Sequence, residues 1–252
     1  MNNSESLRIG LVTGCGKGIG LAITKHLLEK KNQLVLGISK SKNIDLDLLR
    51  KRFKQSFIFY EADISDTKLV NKIIRNFQNQ YGLISFAICN AGVRSRMPLL
   101  ESDLDLYRKI LEINTISNIN IAKELINSSI FSKSKCNILF ISSIVGYRGF
   151  EELSTYAVSK AALEGFMKSA AIEFAKDNIQ LNCLAPGFVE SSYTNDFKKN
   201  KKDLYKWTIQ QTPMGRWGKC DEIAELALFL VSEKNSYMTG SIIYSDGGWT
   251  AK

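Results

Sequence analysis

Tyr156 and Lys160, four residues apart, carry the most evident chemistry in this sequence. The surrounding stretch Ser154-Thr155-Tyr156-Ala157-Val158-Ser159-Lys160 has helical character, and residues i and i+4 of a helix lie one turn apart on one face. An ammonium beside a phenol favours the phenolate, so such a pair can give or take a proton near neutral pH. A second stretch, Thr13-Gly14-Cys15-Gly16-Lys17-Gly18-Ile19-Gly20, suits an anion. Its glycines let the backbone turn tightly and approach a pyrophosphate. A helix that follows presents unpaired N–H groups and the positive end of its dipole. Each stretch also has a plain structural reading, a half-buried tyrosine beside a solvated lysine or a tight strand-to-helix corner, so their setting decides.

That setting is an alternation of strands and helices. An apolar run over residues 7–13 predicts a buried strand that enters the glycine turn and then a helix over 21–31. Apolar runs predict further strands over 34–38, 57–60, 84–89, 137–142, 180–184 and 241–244. Helical periodicity predicts helices over 66–81, 103–130, 156–176 and 221–232. This pattern implies an α/β fold: a doubly wound parallel sheet with helices on both faces. No linker or repeat divides residues 1–252, so a single domain is expected. Gly14, Asn90, Ser143 and Pro186 each follow a predicted strand. Ligands of such sheets bind at the carboxyl ends of the strands, so these four are expected on one rim.

Composition narrows the function. The chain is 44% apolar and 23% charged over 252 residues, enough for a sizeable core. No apolar run approaches the roughly 20 residues that span a bilayer, and the polar N-terminus lacks an apolar signal core, so a cytoplasmic location without membrane partners is expected. Cys15, Cys89, Cys136, Cys183 and Cys220 are odd in number, widely spaced and form no C-x-x-C pair. They argue for reduced thiols and against a disulfide framework or a metal site. His26 is the only histidine and falls in the helical pattern behind the glycine turn, a structural position. Acid–base work must therefore use other groups. The net charge of +9 comes from dispersed lysines with one cluster at 198–202 and no interleaved aromatics. It points to solubility and a lean toward anionic ligands, not to nucleic acid.

Taken in order, Thr13-Gly14-x-x-x-Gly18-Ile19-Gly20, Asn90-Ala91-Gly92, Asn114, Ser143, Tyr156-x-x-x-Lys160 and Pro186-Gly187 resemble the short-chain dehydrogenase/reductase family over about residues 8–249. Pro213-Met214-Gly215-Arg216-Trp217-Gly218 and Tyr237-Met238-Thr239-Gly240 are similar to the 3-oxoacyl-carrier-protein reductase subgroup. The resemblance implies a Rossmann-like sheet and a nicotinamide-dependent exchange of hydride between cofactor and a carbonyl or secondary alcohol. It implies that Tyr156 exchanges the proton of the substrate oxygen. Lys160 holds the cofactor ribose and stabilises the phenolate, Ser143 binds the carbonyl, and Asn114 holds a water that links Lys160 to solvent. Ser143 is preferred over Ser142 because it stands 13 residues before Tyr156, the family spacing. Gly14, Gly18, Ile19 and Gly20 would carry the pyrophosphate. Asp63 and Ile64 would lie near the adenine, and Asn90, Ala91 and Gly92 would line the site. Pro186, Gly187, Val189 and Ser191 would face the nicotinamide.

NAD-preferring relatives carry an acid at the end of the second strand, where this chain has Ser39 and Lys40. With Lys17 in the glycine turn, this implies NADP(H); the alternative is that both lysines are solvated surface residues. The loop 144–155 and a lid over about 188–215 are expected to wall the substrate. Their aromatics Tyr147, Phe150, Tyr193, Phe197, Tyr205 and Trp207 either touch substrate or close the lid on itself. Lys133, Lys135 and Lys176 could dock an acyl carrier protein, yet Asp177 stands where the acyl-carrier enzymes place an arginine. An acyl thioester and a small keto sugar, polyol or other ketone both stay open as substrate. A homotetramer is expected from the resemblance. The alternative of another class is a non-catalytic dinucleotide sensor or scaffold. Such proteins commonly lose the Tyr, Lys or Ser that this chain retains.

Overall fold

In a computed structural model, the structure describes residues 7–191 and 194–252. Strands β1 (Arg8–Thr13), β2 (Gln33–Ser39), β3 (Phe57–Glu61), β4 (Phe86–Cys89), β5 (Cys136–Ile141) and β6 (Ile179–Pro186) alternate with helices. Two short strands, β7 (Val189–Glu190) and β8 (Gly218–Lys219), pair with each other, and β9 (Ile242–Ser245) completes the main sheet. That sheet has seven strands in the order β3-β2-β1-β4-β5-β6-β9, every pair parallel. Strand order reverses between β1 and β4, where Thr13 lies beside Cys89. A crevice opens above the carboxyl ends at such a reversal.

Helix α1 (Gly18–Glu29) and α2 (Ile44–Arg52) cover one face together with α9 (Cys220–Leu230). Their Ala22, Ile23, Leu27, Leu46, Leu49, Ala224 and Ala227 pack on Val12, Val35, Ile88 and Leu139. The other face carries α3 (Thr67–Tyr81), α5 (Ser117–Ser132) and α6 (Ser154–Phe174), whose Ile74, Phe77, Leu125, Leu163 and Met167 meet Leu11, Leu36, Ala87 and Phe140. Covering both faces explains why β4 and β5 are buried along their whole length.

The structure departs from the sequence reading in four places. The helix predicted over 103–130 is three pieces: α4 (Leu104–Leu111), a π-helical turn over Glu112–Ile116, and α5. The helix behind the glycine turn starts at Gly18 rather than at residue 21, because glycine weakens the propensity signal of a first turn. Helix α2 has no counterpart in the prediction. Only Leu46 and Leu49 are buried along it, and Asn43 caps it by accepting from the Leu46 amide at 3.0 Å. The polar stretch 188–215 holds α7 (Thr194–Asn200) and α8 (Lys202–Gln211). No helix of the described residues is long and apolar enough to cross a membrane.

Candidate active site

The glycine turn is built by close approach. A Cβ on Gly20 would stand 2.2 Å from the Gly14 carbonyl oxygen, so only glycine fits where α1 leaves β1. Gly14 itself has φ +65°, in the left-handed region. Thr13 and Asn90 lock the neighbouring strand ends together. The Thr13 hydroxyl accepts from the amides of Asn90 at 3.1 Å and Ala91 at 3.0 Å, and the Asn90 side chain donates to the carbonyls of Thr13 and Gly14. At Gly18 (φ +54°), a Cβ would project toward Ser191, 3.7 Å from its Cβ. The missing side chain keeps open a groove at the N-terminus of α1, a shape and dipole suited to a phosphate.

Next to this turn lies a cleft of about 600 Å³. It gathers Lys17, Ile19, Asn90, Gly92, Ser143, Tyr156, Lys160, Pro186, Gly187, Val189 and Ser191 from the predicted set. Gly14, Gly18, Gly20 and Ala91 belong to the adjoining turn and strand end. Ser39, Lys40, Asp63 and Ile64 sit at the carboxyl ends of β2 and β3. There the Lys40 ammonium pairs with Asp63 at 2.7 Å. The bond from Lys40, followed by that from the Ser65 amide, holds the Asp63 carboxyl down at about 2. Lys40 is therefore engaged by the acid predicted near the adenine. Ile64 is buried in the core.

Lys160 is buried, and its Nζ donates to the Ile141 carbonyl at 2.7 Å while lying 5.5 Å from the centre of the Tyr156 ring. The π turn puts the fully buried Asn114 behind Gly92. Its Oδ1 accepts from the Val93 amide at 2.7 Å; its Nδ2 donates to the Val93 carbonyl at 2.8 Å and to Ser159 Oγ at 3.0 Å. Ser159 in turn donates to the Tyr156 carbonyl at 2.8 Å. Asn114 thus ties the segment after β4 to the helix that carries Tyr156 and Lys160. The nearby Asn118 donates to the Asn114 carbonyl at 2.9 Å, and its own buried Oδ1 has no partner among the described residues.

The two adjacent serines differ in surroundings. Ser143 opens a 3-10 turn over Ile144–Gly146, where its Oγ accepts from the Val145 amide at 3.3 Å. Ser142 is buried and donates to Glu164 Oε1 at 2.5 Å. Glu164, absent from the predicted set, is buried one helical turn beyond Lys160. Burial pushes its pKa up, against the Ser142 bond and the charges of Lys168 and Lys160. A Cβ on Gly146 would meet its Oε1 at 2.8 Å, so the 3-10 turn rests directly on this carboxyl. Its i+4 spacing from Lys160 was the available signal.

Phe150, Phe188, Phe197 and Trp217 line the cleft, with Phe188 stacked on Trp217 at 5.4 Å. Tyr205 packs on Trp217, Trp207 on Trp249, and Tyr147 on Tyr244. The predicted wall is therefore divided between cleft-lining rings and rings that brace them. Tyr193 lies outside the described residues. Arg94 and Arg96, also missed, line the cleft from the segment after β4.

A family model described as enoyl-(acyl carrier protein) reductase matches residues 14–250. The chain is similar to a 3-oxoacyl-[acyl-carrier-protein] reductase from Chlamydia muridarum, 34% identical over 252 residues and covering 98% of this chain and 99% of that protein. Among solved structures, it is similar to ElxO with NADP bound, with a TM-score of 0.90, 26% identity and coverage of 98% and 100% of the two chains. It is also similar to 4-hydroxyisoleucine dehydrogenase complexed with NADH, with a TM-score of 0.90, 27% identity and coverage of 97% and 99%.

Proposed function

The chain belongs to the short-chain dehydrogenase/reductase family, and we propose that it is an NADP(H)-dependent oxidoreductase acting on a carbonyl or secondary alcohol as one domain with a lid at 188–215. The observation that carries this reading is the meeting of Tyr156, Lys160 and Ser143 in one cleft beside the glycine turn. Bound nicotinamide supplies the hydride in reduction and takes it in oxidation. Ser143 donates to the substrate oxygen and stabilises its developing charge. Tyr156 gives that oxygen its proton, so the carbonyl becomes an alcohol and the phenol a phenolate. Lys160 stabilises the phenolate, and a water held by Asn114 would link Lys160 to solvent and return the proton.

The glycine turn and α1 would hold the pyrophosphate. Asn90, Ala91 and Gly92 would wall the cofactor, with Asp63 and Ile64 toward the adenine and Pro186, Gly187, Val189 and Ser191 toward the nicotinamide. For NADP(H), Lys17 lies at the start of α1, and β2 ends in Ser39 and Lys40 with no acid. Lys40, paired with Asp63 in this structure, would turn to hold the 2′-phosphate of NADP(H). The Chlamydia relative supports an acyl thioester, delivered by an acyl carrier protein docking near Lys133, Lys135 and Lys176. A homotetramer in the cytoplasm completes the reading. The experiment is turnover of an acetoacetyl thioester with NADPH and with NADH, repeated in Lys40→Asp. The reading expects NADPH to be preferred by wild type and that preference to fall in the variant; preference for NADH by wild type contradicts it.

A further inference from the structure

We infer that the substrate bears an oxyanion, a carboxylate or a phosphate, which Arg94 and Arg96 bind in the cleft that holds Tyr156. This rests on the oxidoreductase reading above and adds the class of substrate. The cleft is lined by four cationic side chains, Lys17, Arg94, Arg96 and Lys160, and by no aspartate or glutamate among the described residues. Two of the four already serve the reading above. Lys17 belongs to the start of α1, and Lys160 is spent beside Tyr156 on the Ile141 carbonyl.

Arg94 and Arg96 come from the segment after Gly92, and that segment is held in place. Val93 is clamped by Asn114 through both its amide and its carbonyl, and the Met97 amide donates to the Glu152 carbonyl at 2.8 Å. Arg96 is further anchored through Nη1, which donates to the Glu151 carbonyl at 3.2 Å and to Glu152 Oε2 at 3.4 Å. Both bonds leave from one nitrogen, so Nε and Nη2 have no protein acceptor among the described residues. The side chain is only 21% exposed. A guanidinium held by one edge, with donors left on the other, suits two-point binding of a carboxylate or phosphate.

The remaining wall favours the same conclusion. Val145, Phe150, Leu153, Phe188 and Trp217 are apolar or aromatic. They offer a neutral polyol few partners for its hydroxyls, and they strengthen a charge pair by keeping water away. The oxyanion has two sources. It is a carboxylate on a small keto acid, or it is the phosphate of a phosphopantetheine arm.

Steady-state kinetics with NADPH separates them. A 3-oxo acid is compared with its methyl ester, and acetoacetyl-phosphopantetheine with acetoacetyl-pantetheine. The inference expects kcat/KM to favour the anionic member of at least one pair by about tenfold or more. It expects that ratio to approach one in Arg94→Gln/Arg96→Gln. Preference within the first pair identifies the carboxylate, and within the second the phosphate. A wild-type ratio near one in both pairs overturns the inference while leaving the oxidoreductase reading intact. So does a ratio that survives in the variant. Absence of turnover with all four compounds overturns both. Where the double variant does not fold, Arg96→Lys keeps the charge but loses the fork, and the ratio is expected to fall only partly. An unchanged ratio there also contradicts the inference.

Discussion

At the scale of residues, the strongest features were those whose spacing alone sets their geometry. Tyr156 and Lys160 were legible because one helical turn brings them to one face whatever the rest of the chain does. The pairing of Lys40 with Asp63 was not, since it depends on the β2–β3 register that sets Ser39 beside Glu61. Glu164 escaped because a carboxylate in a helix ordinarily faces water, and only the packing of Ser142 and Gly146 against it reveals its burial. Glu164→Leu strands the buried Ser142 hydroxyl and is expected to cost about 1–3 kcal/mol in denaturant unfolding. Glu164→Gln keeps an acceptor and should cost less. Because the folded Glu164 pKa is raised, its contribution to stability falls as pH rises from its ordinary value through the folded one. Glu164→Gln should therefore flatten the pH dependence of the unfolding midpoint above about 4.3.

At the scale of elements, periodicity marked the seven strands of the main sheet and the helices that bury a continuous face, and it failed where burial is brief or locally irregular. Helix α2 buries only Leu46 and Leu49, too few for a pattern. The π turn was invisible because the apolar sequence runs on through it, from Ile110 to Ile113 and Ile121. Yet this turn is what buries Asn114, a π-bulge beside the candidate site. Asn114→Leu removes the partners of both main-chain groups of Val93. It should destabilise the fold by about 2 kcal/mol or more, read by thermal or urea unfolding. His26 links α1 to α9 through Asp221 at 2.9 Å and Glu225 at 2.7 Å. Burial opposes its cation, but the bonds and charges of those two acids outweigh it and raise the pKa. The link then stabilises below the ordinary histidine value of about 6.5 and is lost as pH rises through the folded one. Urea midpoints between pH 6 and 9 should fall with rising pH in wild type and vary less in His26→Gln.

At the scale of the whole molecule, the parallel order and its reversal at β1 and β4 bring the glycine turn, Ser143 and Tyr156 to one rim. Strand-by-strand reading could anticipate this because ligand sites follow the carboxyl ends of parallel strands. It could not divide the aromatics between cleft and brace, which depends on how residues far apart in sequence meet. Phe131 at 92% and Ile172 at 83% exposure lie on α5 and α6, and the proposed homotetramer is expected to bury them between copies. Phe131→Asp/Ile172→Asp should yield a smaller species than wild type by light scattering. The central claim is that Tyr156 supplies the proton in this cleft. Its most direct measurement is NADPH-dependent ketone reduction by wild type and Tyr156→Phe, with NADPH binding followed in parallel. The account predicts a fall in kcat of about 10²–10⁴-fold with NADPH still bound; undiminished turnover by the phenylalanine variant would contradict it.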